Sequence, residues 1–172
     1  HHVRLASDSR LSSQWKAVLE ATDNLEKLFV GIDVKPSVLH GDLWSGNIAC
    51  SGGEPVIFDP ATYYGHHEAE WGMSWCASLG PKFWEGYRAL IPKDAGFDER
   101  SVLYELYHKL NHYNLFGGGY YYDSLGLMGE LARSGDSRDL RPFRCRTADT
   151  PDGLAQTATS KSRWKAQGSQ GN

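Results

Sequence analysis

His40-Gly41-Asp42-Leu43-Trp44-Ser45-Gly46-Asn47, continued by Ile48-Ala49-Cys50, Ser51-Gly52-Gly53-Glu54 and Pro55-Val56-Ile57-Phe58-Asp59, is the stretch on which the fold turns. Two short apolar runs flank a Gly-Gly turn, which predicts a β-hairpin. Val38-Leu39 before it reads as the end of a strand, and Gly41 marks a tight turn with unusual backbone geometry. A hairpin between Asn47 and Asp59 is a physical means of bringing two residues twelve positions apart onto one ion.

The residue types define a chemistry. Asp42 is a carboxylate placed to orient a hydroxyl and take its proton. Asn47 and Asp59 offer the oxygen ligands that magnesium prefers. Together they suit phosphoryl transfer from ATP to an alcohol. His40 is read as structural support, bracing the loop through hydrogen bonds.

Outward from this stretch, Leu11, Trp15, Val18, Leu19, Thr22, Leu25, Leu28 and Phe29 recur at three- and four-residue steps, predicting one amphipathic helix over about 10–30, stopped by Gly31. Downstream, helices are predicted at 68–79, at 81–91 opened by Pro81, and at 99–116 ended by Gly117-Gly118-Gly119. A short one follows from Ser124, as N-cap, to Arg133. Trp71, Trp75 and Trp84 read as core aromatics, and His112 and Asn114 as ties between helix and loop. The pair His66-His67, with His40, raises the question of a zinc site, but no third ligand stands at a persuasive spacing.

The 172 residues carry a net charge of -3, which argues against partners held by a basic field, nucleic acid and anionic membranes among them. Cys50, Cys76 and Cys145 are odd in number and widely spaced, which indicates neither a disulfide framework nor a structural zinc site and fits a reducing cytoplasm. No apolar run of transmembrane length is present. Residues 1–133 are expected to form one globular unit. Residues 134–172, rich in Gly, Ser, Thr, Gln and Arg without apolar periodicity, read as a disordered tail.

Leu39-His40-Gly41-Asp42-Leu43-Trp44-Ser45-Gly46-Asn47 resembles the catalytic segment of the fructosamine (ketosamine) kinase family. Pro55 to His66, with Asp59-Pro60-Ala61 where protein kinases have Asp-Phe-Gly, resembles that family's metal loop, and Leu110 to Gly117 resembles its late helix. The resemblance covers about residues 10–133. It implies an α+β, protein-kinase-like fold, seen as a mainly helical C-terminal catalytic lobe with a small β-hairpin. It further implies ATP and Mg2+ as cofactors, and phosphorylation of the C3 hydroxyl of ribulosamines or fructosamines on glycated proteins or small ketosamines, promoting deglycation. Asp42 matches the family base, and Asn47 and Asp59 its magnesium ligands. Trp44, His66, Glu68 and Glu70 become candidates for the sugar site, since an aromatic face with carboxylates suits a cationic polyol.

Against the family pattern, no G-x-G-x-x-G precedes His40 and the first lysine is Lys16, on the predicted helix. The expectation is a catalytic lobe whose N-terminal nucleotide lobe is missing. Two alternatives stay open: an inactive lobe acting as a binding module, and a kinase for another small hydroxyl substrate of the aminoglycoside or choline type.

Overall fold

Asp8 starts the first helix: its carboxylate accepts from the N–H groups of Arg10 and Leu11 at 3.0 and 2.9 Å, capping donors that the helix leaves unpaired. In this computed structural model, which describes residues 7–135, helix α1 spans Ser9–Ala21 and buries Leu11 and Val18. The single helix expected over 10–30 is corrected here. At Thr22 the side-chain hydroxyl donates to the carbonyl of Val18 at 2.7 Å and accepts from Leu25 N–H at 3.1 Å. Asp23, Asn24 and Leu25 then take positive φ, and the chain resumes as a 3-10 segment, Glu26–Phe29. Asp and Asn tolerate the left-handed region better than most residues, so the break falls where they stand and not at Gly31. The apolar period survives it, because Leu28 still reaches the core.

Strand β1, Pro36–Leu39, pairs antiparallel with β4, Tyr63–His66, in the register Leu39 to Tyr63 and Pro36 to His66. Between them β2, Ile48–Ser51, and β3, Glu54–Ile57, form the hairpin. Its two turn residues, Gly52 and Gly53, have φ of 62 and 90°, the left-handed pair that a two-residue type I′ connection requires.

After β4 comes a 3-10 segment, His67–Met73, and a single helical turn, α2, Ser74–Ala77, in place of the helix expected over 68–79. Three contacts that no single helical stripe could make explain the departure. Glu68 enters the core, Glu70 turns to the His40 loop, and Gly72 lies so close to α4 (Phe97–Phe116) that a Cβ would sit 2.7 Å from the carbonyl oxygen of Tyr104.

Helix α3 runs Pro81–Leu90, and α5 runs Tyr120–Ser134. The last helix begins before Ser124, whose buried hydroxyl donates to the Tyr120 carbonyl at 2.7 Å inside the helix and is therefore no cap. Ser134 closes α5 and Gly135 caps it; the remainder of the 134–172 segment read as a tail lies outside the described residues. Helices α1, α4 and α5 meet in one apolar core of Leu11, Val18, Val102, Leu106, Leu110, Met128 and Leu131. Each such side chain contributes about 1.5–3 kcal/mol on burial. Among the described residues no helix is long and apolar enough to cross a membrane.

Candidate active site

The turn after β1 is built by close approach. Gly41 has φ of 80°, and a Cβ there would meet the carbonyl oxygen of Ala61 at 2.4 Å, so only glycine permits this path. The ring of Tyr63, the residue paired with Leu39, lies against the same glycine. Glu70 completes the clamp from the other direction. One carboxylate oxygen accepts from His40 N–H at 2.6 Å and the other from Gly41 N–H at 3.1 Å, satisfying two donors that a strand end would leave exposed.

His40 ties this turn to the loop that follows β3. Its Nε2 lies 3.0 Å from the Phe58 carbonyl and its Nδ1 3.4 Å from Asp42 N–H. A carbonyl only accepts and an amide only donates, so these partners define the tautomer: Nε2 carries the hydrogen.

Asn47 is buried, with 5% of its surface exposed, and occupies the centre of the group. Its Nδ2 donates to the Asp42 carbonyl at 2.9 Å and to Asp42 Oδ2 at 3.2 Å, and stands 3.5 Å from the Asp59 carbonyl. The backbone supports it: Asn47 N–H donates to Trp44 O, and Phe58 N–H donates back to Asn47 O. Asp42, Asn47 and Asp59 are thus assembled at one place. Asp59 holds φ of 54°, a left-handed conformation that costs a non-glycine residue about 1 kcal/mol, and such departures concentrate where function over-determines the backbone.

The four sugar-site candidates separate. Trp44 lies in the turn between Asp42 and Asn47, 42% exposed, its indole over Gly46, where a Cβ would come within 2.2 Å of the ring. Glu70 joins the group through its hold on the His40 and Gly41 amides, a bracing contact. His66 and Glu68 do not join it. His66 pairs with Pro36 at the far end of β1, about 10 Å along the strand from the Leu39 end at ~3.3 Å per residue. It is buried against Tyr104, with Nδ1 2.9 Å from the hydroxyl. Burial pushes its pKa below the ordinary range for histidine, against an opposing pull from Glu68. Glu68, 1% exposed, gives both carboxylate oxygens to Arg100 Nε and Nη2 at 2.7 and 2.8 Å. Arg100, wholly buried, also donates from Nη1 to the carbonyls of Leu28 and Ala95, joining three segments to α4. Glu68 therefore stands in the core, apart from the Asp42 group. An uncompensated buried charge is so costly that a pair of this kind forms where both partners are enclosed.

Sequence reasoning missed the Glu70 clamp and the Glu68–Arg100 pair because their partners are 29–32 residues away. Trp75, read as core, is 39% exposed and lies under the ammonium of Lys109, 3.6 Å from its ring centroid. Lys109 is in turn paired with Asp123 at 3.0 Å. The neighbouring Cys76 thiol is raised in pKa by burial, with Asp42 among the nearby charges that add to the effect. A cavity of about 600 Å³, lined by Trp15, Tyr63, His66, Leu103, Tyr104 and His108 among others, is apolar and does not include Asp42, Asn47 or Asp59. Tyr104 there is pushed up to about pKa 12, chiefly by burial and then by Glu68.

Residues 1–134 match the family described as fructosamine kinase. The chain is 50% identical over 127 residues to a protein named protein-ribulosamine 3-kinase, chloroplastic, of Oryza sativa subsp. japonica, covering 73% of this chain and 36% of the relative. The protein of that name in Arabidopsis thaliana is 52% identical over 111 residues, 64% of this chain and 34% of its own length. A ketosamine-3-kinase of Mus musculus is 44% identical over 107 residues, 62% of this chain and 35% of its own. A solved structure of a candidate fructosamine-3-kinase from Thermobifida fusca YX-ER1 superimposes with a TM-score of 0.61 at 29% identity, covering 70% of this chain and 42% of that one. The chain spans about a third of the length of the curated relatives it matches. Matched by that family over residues 1–134, the chain belongs to the fructosamine kinase family.

Proposed function

We propose that the Asp42 site belongs to a protein-kinase-like catalytic lobe that transfers a phosphoryl group from ATP to the C3 hydroxyl of a ketosamine, ribulosamine or fructosamine, carried on a glycated protein or a small amine. The observation that carries the reading is the position of Asn47, whose Nδ2 reaches both Asp42 Oδ2 and the Asp59 carbonyl. With that amide hydrogen-bond donor committed to Asp42 and Asp59, the Asn47 carbonyl oxygen and the Asp59 carboxylate would be the donors for an ion, both hard oxygens of the type suited to Mg2+ and poorly suited to softer ions. The residues therefore fit the ion. Magnesium, when bound, would neutralise charge building on the phosphate oxygens.

The chain's own part is positioning and proton transfer. Asp42 accepts a hydrogen bond from the sugar hydroxyl and takes its proton as that oxygen bonds to the γ-phosphorus and the bond to the ADP oxygen breaks. The Asn47 amide fixes the carboxylate while it waits, and Glu70 and His40 fix the turn that carries it. The exposed Trp44 face offers a platform for the sugar and its protonated amine.

The test is Mg-ATP-dependent phosphorylation of a ribulosamine and a fructosamine by this chain, alone and joined behind the N-terminal part of a full-length relative, each beside Asp42→Ala. Transfer to the ketosamine that falls by at least about 10³-fold in the variant is expected, the scale of losing a general base together with substrate orientation. Transfer that survives in Asp42→Ala, or that favours choline or an aminoglycoside over both ketosamines, overturns the reading.

A further inference from the structure

We infer that His66, His67, Glu68 and Asp94 form a binding site for one transition-metal dication of the zinc class, separate from the Asp42 group. One donor atom from each of the four lies within 4.8 Å of all the others. Zinc bonds of about 2.0–2.1 Å in a tetrahedral shell set donors roughly 3.3 Å apart, so the donors need to close by no more than about 1.5 Å to surround an ion. Imidazole with carboxylate is a donor mixture that selects zinc and its neighbours and not magnesium.

Two further observations point to a cation. The Nε2 atom of His67 is buried without a hydrogen-bond partner, a state that protein interiors otherwise avoid. The cluster carries an excess of negative charge: Arg100 supplies one positive charge against Glu68 and Asp94, both of which act on it.

The existing contacts are compatible with this role. Each oxygen of Glu68 has a second lone pair beyond the one that Arg100 occupies, and its Oε2 is 3.9 Å from His66 Nδ1. A His66 ring that keeps its Nδ1 on the Tyr104 hydroxyl ligates through Nε2, with Tyr104 as the outer partner that orients it. The ion would tie the end of β4 to the loop that enters α4, two residues from the Glu70 clamp. The sequence shows the His66-His67 pair but not Asp94, 26 residues beyond Glu68.

The experiment is a Co2+ titration of the full 172-residue chain, followed by displacement with Zn2+, comparing wild type with His67→Gln and Asp94→Asn, and with Asp42→Asn as a control. One equivalent of Co2+ is expected, giving intense visible d–d absorption of low coordination number in wild type and Asp42→Asn. Affinity should fall at least about tenfold in each of the other two. Far-UV circular dichroism establishes that the variants are folded. Absence of a stoichiometric site overturns the inference, as does binding unchanged in both His67→Gln and Asp94→Asn, which would put the metal on other donors of the chain.

Discussion

Glu70 illustrates what a single residue adds to the Asp42 group without touching a reactant. Its two oxygens satisfy the N–H groups of His40 and Gly41, and the shorter bond, 2.6 Å, is within the range of a charge-assisted contact. Glu70→Gln keeps the shape and one acceptor but sets an amide N–H against a backbone N–H. At a cost of about 1–3 kcal/mol for a buried donor left unpaired, the turn should loosen and Asp42 should lose its aim. The expected result is phosphoryl transfer to a ketosamine lowered by about 10–100-fold, mainly in kcat, with Glu70→Asp recovering part of it. A Glu70→Gln enzyme of wild-type kcat would show that the clamp is dispensable. Asp42, Asn47 and Asp59 announced themselves in the sequence because their spacing brackets a hairpin. Glu70 did not, since Glu68 and Glu70 look alike in the chain and only their partners differ.

At the scale of elements, local chemistry was legible at the hairpin and at the start of α3. The hairpin followed from Gly52-Gly53 between apolar runs, and the start of α3 from Pro81, because these act within a few residues. The continuous helix over 10–30 failed for a related reason: its apolar period is real, but a Thr22 hydroxyl bonded to Val18 and a run of positive φ from Asp23 to Leu25 re-aim the chain while preserving the period. The 68–79 region was illegible because long-range contacts of Glu68, Glu70 and Gly72 override its helical pattern. The hairpin offers a sharp test. Gly53 has φ of 90° with nothing within 4 Å of a Cβ, so Gly53→Ala introduces backbone strain and no clash. A destabilisation of about 1–2 kcal/mol is expected, the left-handed penalty for an L-residue, while Gly52→Asn, matching the Asn-Gly preference of this turn, should be close to neutral. Because Asn47 and Asp59 stand at the two feet of the hairpin, Gly53→Ala should also weaken Mg2+ binding in the proposed transfer, raising the Mg2+ concentration for half-maximal rate. Equal melting temperatures for the two variants would contradict the type I′ assignment.

At the scale of the whole described unit, burial of histidine makes stability depend on pH. His108 is pushed down to about pKa 4, first by burial and second by the neighbouring His112. Its ordinary value is about 6.5, so between pH 6.5 and 4 the unfolded chain binds a proton on this ring that the folded chain refuses. Stability contributed by the neutral ring is complete above pH 6.5 and is lost as the pH falls toward 4. His66, also lowered by burial, acts in the same sense. The ring of His108 has partial contact with solvent, so the shift is discounted to a loss of roughly 2 kcal/mol across the window, somewhat less by pH 5. Urea unfolding at pH 7.5 and pH 5.0 measures it, in a range above most carboxylate titrations. The midpoint should drop on acidification, and His108→Gln should flatten the dependence while His112 Nδ1 keeps its bond to the backbone carbonyl of residue 108 at 2.8 Å. If wild type and His108→Gln lose the same stability between the two pH values, the acid sensitivity resides elsewhere, with His66 beside the Glu68–Arg100 pair as the next group to replace.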